Sequence, residues 1–137
     1  MCATSATGNI EPAVSLFAMS SAWKASVDAN NMCNWAMRSL LIEDGKRLIL
    51  IDTGIGDKQS EKFFSHYHLH GTDSLHGNLA KLGFHASDIT DVILTHLHFD
   101  HCGGAIAYDT QKEAYRTVFP NATYWSSENH WRWATQP

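Results

Sequence analysis

His96-Leu97-His98-Phe99-Asp100-His101 is the most informative stretch of this sequence, because it places four metal-ligand side chains within six positions. It directly follows the apolar run Val92-Ile93-Leu94-Thr95, which predicts a buried strand. Imidazole nitrogens and carboxylate oxygens suit Zn²⁺ and related divalent ions. A chance match in a chain of this composition is expected only about 0.002 times. A metal site is therefore favoured over the alternative, a His-rich surface loop without metal.

The spacing within this motif predicts two metal ions. On an extended loop leaving a strand, His96 and His98 turn the same way and can bind one ion. Asp100 and His101 are adjacent in sequence, diverge from that pair and can reach a second ion. Two ions roughly 3.5–4 Å apart form a hydrolytic centre. The motif therefore indicates a binuclear site at the end of a strand.

A second strand-and-turn lies upstream of the motif. Two apolar runs, residues 35–42 and 47–51, flank Asp44-Gly45, a two-residue hairpin signal because glycine accepts positive φ. The second run ends at Asp52-Thr53-Gly54, which places a carboxylate at the sheet edge. Asp52 could simply form a turn there.

Both stretches resemble one known family. His96-x-His98-x-Asp100-His101 resembles the signature of the metallo-β-lactamase superfamily of hydrolases, and Leu48 to Gly54 resembles its strand and turn with an active-site Asp. The similarity continues through residues 89–95 and Gly103-Gly104, and it covers the chain from about residue 35 to its end. Within the superfamily, the sequence is most similar to the branch that holds lactonases and organophosphate-type hydrolases.

The resemblance implies the fold and the site. It implies an α/β fold that is the N-terminal half of a four-layer αββα metallo-β-lactamase-like sandwich. Residues 1–137 are then expected to form a single incomplete domain, with the remaining metal ligands C-terminal to Pro137. Separately, residues 1–11 are small and polar, which predicts that they are disordered. The implied cofactors are two divalent metal ions, with zinc expected and Mn, Fe or Co as alternatives.

The resemblance also implies a role for each site residue. His96 and His98 are assigned to the first ion, and Asp100 and His101 to the second. Asp100 is also the expected catalytic residue, orienting the nucleophile and passing a proton to the leaving group. Asp52 is expected to accept a hydrogen bond from the free ring N–H of a ligand, which fixes the orientation of that ring.

The expected function is that of a metal-dependent hydrolase in which a metal-activated water attacks a carbonyl or phosphoryl centre. The substrate would be a small lactone, ester, amide or organophosphate, and the 137-residue chain alone is expected to be weakly active or inactive. Two alternatives remain open at this stage. One is a non-catalytic metal-binding module, and the other is an RNA-processing nuclease of the same superfamily.

Composition narrows the class of protein. The net charge of −4 and a pI of about 6.1 come without a basic patch, which argues against nucleic acid as a partner. The three cysteines form no CxxC pair, which favours a reducing, cytoplasmic compartment. The sequence has no apolar run of 18 residues, so no membrane partner is expected. Oligomeric state is left open.

Several further residues are candidate ligands. Cys102 follows the motif, but a small apolar packing role is favoured. His66, His68 and His70 alternate in a polar segment that lacks a strand or a carboxylate, so a loop near the mouth of the site is predicted. His130 lies at the start of a predicted helix over residues 127–134 and is not favoured as a ligand. A further helix is predicted over residues 73–82, with Asp73 or Ser74 as its N-cap and Gly83 as its C-cap.

Overall fold

The computed structural model describes residues 34–136, so the disorder expected for residues 1–11 lies outside the described part of the chain. Its strands and helices form an α/β arrangement. The strands are β1 (Leu40–Asp44), β2 (Arg47–Ile51), β3 (Asp91–Ile93), β4 (Ile106–Asp109), β5 (Ala114–Thr117) and β6 (Thr123–Trp125). The helices are α1 (Glu61–Phe64), α2 (Leu75–Lys81), α3 (Phe99–Cys102) and α4 (Glu128–Thr135), and 3₁₀ turns span Ala86–Asp88 and Gly103–Ala105.

A four-stranded sheet with the order β1-β2-β3-β6 organises the described residues. β1 and β2 are antiparallel, whereas β2, β3 and β6 run parallel to one another. The C-terminal ends of three neighbouring strands therefore meet at one edge of the sheet. β4 and β5 form a separate antiparallel pair.

The register of the sheet explains where the core lies. One row across all four strands faces the core, and its members are Leu41, Leu50, Val92 and Tyr124. The first three are fully buried. Leu79 from α2, together with Ile89 and Phe119, packs against this row and closes the core. These contacts hold the strands whose ends carry the site, since burial of large apolar side chains is the main stabilising contribution.

The predicted hairpin is confirmed, with two shifts. β2 coincides with the predicted run, but the turn residues are Gly45 and Lys46, because Asp44 pairs with Arg47. Gly45 has φ +56°, as the turn requires. The first strand starts at Leu40 and not at Trp35, since Leu40 already pairs with Ile51, the last residue of β2.

The two predicted longer helices are confirmed. α2 begins after Ser74, whose hydroxyl accepts a hydrogen bond from the Gly77 N–H, and Gly83 follows its C-terminus at φ +83°. α4 begins after Ser127, which caps it in the same way. Within residues 34–136, the structure has no helix that is both long and apolar enough to span a bilayer.

Candidate metal centre

The site lies where two neighbouring parallel strands end. Asp52 follows β2, and the motif that begins at His96 follows β3. Backbone hydrogen bonds join the two segments, from Asp52 N–H to the Ile93 carbonyl at 2.9 Å and from Thr53 N–H to the His101 carbonyl at 2.7 Å. The sheet therefore places a carboxylate beside the imidazole-rich loop.

Asp52 is buried and makes four hydrogen bonds with two residues of the facing segment. Its Oδ1 accepts from the Thr95 N–H at 2.8 Å, and both of its oxygens lie within 3.0 Å of Thr95 Oγ1. Its Oδ2 also accepts from His101 Nδ1 at 2.7 Å. Asp52 has φ +57°, a strained conformation for a residue other than glycine, and strain of this kind is frequent at functional sites. Asp52 therefore connects Thr95 and His101 through hydrogen bonds, in addition to forming the turn after β2.

These hydrogen bonds orient two imidazole rings. Because His101 Nδ1 donates to a carboxylate, its Nε2 keeps a lone pair that can bind a metal ion. The Thr95 hydroxyl donates its proton to Asp52, so it can accept from His96 Nδ1, which lies 3.1 Å away. His96 Nε2 is then left with a lone pair as well. Asp52 thus holds one ring directly and a second ring through Thr95.

The structure brings together all four predicted ligands. Ring centroids of His96 and His98 lie 4.6 Å apart, and those of His96 and His101 lie 3.9 Å apart. Asp100 Oδ2 lies 3.5 Å from His101 Nε2. Burial, followed by the positive charges that His101 and His98 can carry, lowers the pKa of His96. A lowered pKa favours the neutral ring, which is the form that binds metal.

The second half of the motif is helical and not extended, which corrects the predicted loop. His98 is the N-cap of α3, so Asp100 and His101 lie in its single turn. The His101 and Cys102 amides both bond to the His98 carbonyl at 3.0 Å. The predicted divergence of His101 from the first two imidazoles is wrong, because its ring lies 3.9 Å from that of His96, closer than the 4.6 Å between His96 and His98.

The donor set fits a divalent ion in its chemistry. Among residues 34–136, however, no three His, Cys, Asp or Glu side chains are arranged to hold one ion. The motif supplies two donors for each of two ions, whereas a tetrahedral zinc site takes four ligands. The role of each motif residue as a ligand therefore remains a prediction that the geometry of the rings supports.

The backbone that follows Asp52 packs closely against the backbone that follows the motif. A Cβ added at Gly103 would overlap the Ile55 carbonyl oxygen, and one added at Gly104 would overlap the Thr53 carbonyl oxygen. The Lys58 ammonium donates to the Gly103 carbonyl. The segment that follows Asp52 and the segment that follows the motif are therefore in direct backbone contact.

Phe99, within the motif, joins the site to the His-rich segment that follows α1. Its ring lies 5.1 Å from that of Phe63 and 4.9 Å from that of Tyr67. The three histidines of this segment are exposed, and within the described part of the chain no ring contact joins them to the motif. They are His66, His68 and His70. The segment thus lies near the site, as predicted, but adds no ligand to the imidazole cluster.

Two residues gain importance from the structure. Thr95 was not singled out in the sequence, although its place between the strand and His96 is a signal that could have identified it. His130 was not favoured as a ligand, yet its ring centroid lies 6.2 Å from that of His96.

Cys102 is half-buried, and burial raises the pKa of its thiol, which agrees with a packing role.

Comparisons with known proteins show the family of this chain. The family model described as the metallo-beta-lactamase superfamily matches residues 38–136. The chain belongs to the metallo-beta-lactamase superfamily, as the motif and the strand-and-turn predicted, and its α/β fold is confirmed. No functionally curated protein matches the chain.

Three of the solved structures that are similar to the chain illustrate the likeness. The first is AidC, described as a dizinc quorum-quenching lactonase in complex with a product, with 37% identity and a TM-score of 0.56 over 74% of this chain and 30% of AidC. A probable metal-dependent hydrolase from Staphylococcus aureus has 24% identity and a TM-score of 0.74 over 98% of this chain and 47% of that protein, a likeness of fold alone. Hydrolase AbOPH has 26% identity and a TM-score of 0.61 over 83% of this chain and 34% of its own.

The chain thus spans between 30% and 47% of the length of these proteins. AidC is described as a dizinc enzyme, which supports divalent metal ions in this family.

Proposed function

We propose that the protein is a metal-dependent hydrolase that acts on a small-molecule ester or lactone. One observation carries the proposal: Asp52 holds His101, and through Thr95 also His96, so that each ring keeps a nitrogen lone pair for a metal ion. The identity of 37% to a dizinc lactonase supports a lactone or ester over other substrates.

We propose the same roles for the site residues that the family resemblance implies, and the clustering of the rings supports them. His96 and His98 hold one ion, and Asp100 and His101 hold the other. Divalent ions bound at such a site lower the pKa of water and polarise the carbonyl group of the substrate. The water oxygen bonds to the carbonyl carbon, the carbon–oxygen bond to the alcohol breaks, and one proton passes to the departing alkoxide. We assign to Asp100 the role of holding and passing this proton.

The charge of the chain supports a small molecule over RNA. The net charge is −4, and phosphate backbones are bound by clusters of Lys and Arg. We also propose that further ligands come from outside residues 96–101, because those residues supply only two donors for each ion. Residues 1–137 alone are therefore expected to bind metal weakly and to turn over little substrate.

The test measures metal content and turnover together on the full-length protein. Elemental analysis should find about two zinc or related ions per chain, and a lactone and an aryl ester should be hydrolysed in a way that a chelator abolishes. A protein that contains no transition ion and hydrolyses these substrates equally well with chelator would contradict the proposal. A stoichiometric ion with no turnover would instead favour the non-catalytic metal-binding module.

A further inference from the structure

Lys58 is a charged side chain that joins the two backbone segments of the site. It belongs to the segment that follows Asp52, and it is half-buried whereas its neighbours Asp57 and Gln59 are exposed. Its ammonium group donates a hydrogen bond to the carbonyl of Gly103, a residue 45 positions further along the chain. Lys58 therefore reaches from the segment that follows Asp52 to the segment that follows the motif.

The acceptor of this hydrogen bond lies at the end of the helical turn that carries half of the motif. Gly103 is the C-cap of α3, the turn that contains Asp100 and His101. The last carbonyl groups of a helix have no partner within the helix, so other groups have to satisfy them. A lysine near a helix C-terminus can do so, and its positive charge also suits the negative end of the helix. Lys58 thus caps α3 from a distant part of the chain.

The carbonyl groups at this end of α3 accept hydrogen bonds from two residues of the segment that follows Asp52. The His101 carbonyl accepts from the Thr53 N–H at 2.7 Å and from the Thr53 hydroxyl at 3.0 Å. The Gly103 carbonyl accepts from Lys58. Of these two contacts, only that of Lys58 depends on a side chain alone, so a substitution can remove it without changing a backbone hydrogen bond.

The packing around Gly103 makes its carbonyl depend on this donor. The carbonyl oxygen lies so close to Gly56 that a Cβ added there would overlap it. A carbonyl that loses its partner in closely packed backbone costs free energy, because water has little access to it. Among residues 34–136, the ammonium group of Lys58 forms no ion pair with a carboxylate. The contact of Lys58 is therefore with α3 and not with a surface charge.

We propose that Lys58 is a positioning residue of the metal centre. It fixes the C-terminal end of α3 and thereby keeps Asp100 and His101 in place for the second ion. Asp52 fixes the ring of His101, and Lys58 fixes the end of the helical turn that carries this ring. The assignment rests on the proposed function, because it requires that Asp100 and His101 bind metal. Lys58 acts through α3 and contacts neither the ion nor the substrate.

The test compares Lys58→Met, which removes the donor, with Lys58→Arg, which restores one. Lys62→Met is the matched control, since Lys62 is exposed four positions further on. The full-length protein is loaded with cadmium-113, whose NMR spectrum should give one resonance per ion, assigned by coupling to the ring protons of His98 or His101. Lys58→Met should shift or broaden the resonance coupled to His101 and weaken binding of that ion by about 10–100-fold. The resonance coupled to His98 should stay in place, and Lys58→Arg and Lys62→Met should keep both.

Circular dichroism and thermal melting check that each variant is folded. If Lys58→Met does not fold, Lys58→Gln takes its place with the same expectation, because its amide nitrogen ends one bond short of the position of the ammonium group. Two unchanged resonances in the neutral variant, even with a lower melting temperature, would overturn the role of Lys58 alone. An equal shift of both resonances, or the same shift in Lys62→Met, would also overturn it. A wild-type protein without any imidazole-coupled cadmium resonance would instead contradict the proposed function and the role of Lys58 with it.

Discussion

Two segments of this protein each carry three histidines, and only one of them forms a cluster. In residues 66–70 the imidazoles alternate along an exposed segment after α1, and His70 Nδ1 lies 3.1 Å from the backbone carbonyl of His68. In residues 96–101 the rings approach to 3.9 Å and 4.6 Å, and one ring is held by the buried carboxylate of Asp52.

The difference lies in the surroundings and not in the number of histidines. The second segment leaves a buried strand whose parallel neighbour ends in Asp52, so the sheet brings a carboxylate to the rings. The first segment is attached through aromatic contacts of Tyr67 with Phe63 and Phe99, which position it without orienting its imidazoles. In this protein, the histidine-rich stretch whose rings cluster is the one that follows a strand beside a second strand ending in a carboxylate.

The largest expected effect is the loss of metal affinity in His98→Ala. Removing one of two donors to the same ion should weaken zinc binding by more than about 100-fold, because a change of a residue that only supports a ligand already costs 10–100-fold. His68→Ala is the matched control and should leave zinc affinity unchanged. Competition with a fluorescent chelator measures both. Equal zinc affinities of the two variants would contradict the assignment of metal binding to residues 96–101 and not to residues 66–70.

A smaller loss is expected for Asp52→Asn. The amide keeps the size of the side chain but cannot accept from Thr95 and His101 at both oxygens, so the two rings lose their fixed orientation. Zinc affinity should fall by about 10–100-fold. Asp57→Asn changes an exposed carboxylate five positions further on and should have no effect. An unchanged zinc affinity in Asp52→Asn would show that Asp52 forms the turn and does not orient the metal-binding rings.

The smallest expected effect concerns the protonation of His96. Burial, followed by the charges of His101 and His98, lowers its pKa in the metal-free protein. Protons therefore compete with metal for His96 only at lower pH than for an ordinary histidine. His98→Ala removes one like charge and should raise the pKa of His96, whereas His68→Ala should not change it. Proton NMR titration of the metal-free variants measures the shift, and a fall of this pKa in His98→Ala would contradict the proposed crowding of the rings.

Sequence reasoning was most successful where a single physical rule dominates. The apolar run of β2 and the Ser74 cap of α2 are local signals, and the structure confirms both elements. The proximity of Asp52 to the motif could also be predicted from the sequence, because residues at neighbouring strand ends lie close together. The hydrogen bonds through Thr95 could not be predicted, since they depend on the register between β2 and β3, which the sequence alone does not fix.

Other features depended on context that the sequence does not show. The strand pair β4 and β5 was not predicted, because its side chains are mostly exposed and lack an alternating apolar pattern. The helical turn of α3 was read as an extended loop, since four residues are too few for a periodic signal. The approach of His130 to His96 arises from the pairing of β3 with β6, two elements that are far apart in the sequence.

The backbone contact at Gly103 and Gly104 has a consequence for how mutational data on this protein would be interpreted. Both glycines lie against carbonyl groups of the segment that follows Asp52, and any larger residue would push that segment aside. A saturation scan scored by activity would find them as intolerant as the histidines, although neither has a side chain to offer to chemistry. Scoring the same library for protein abundance as well would separate the two groups. Replacement of the glycines should lower the amount of folded protein, whereas replacement of the histidines should leave that amount unchanged and abolish activity.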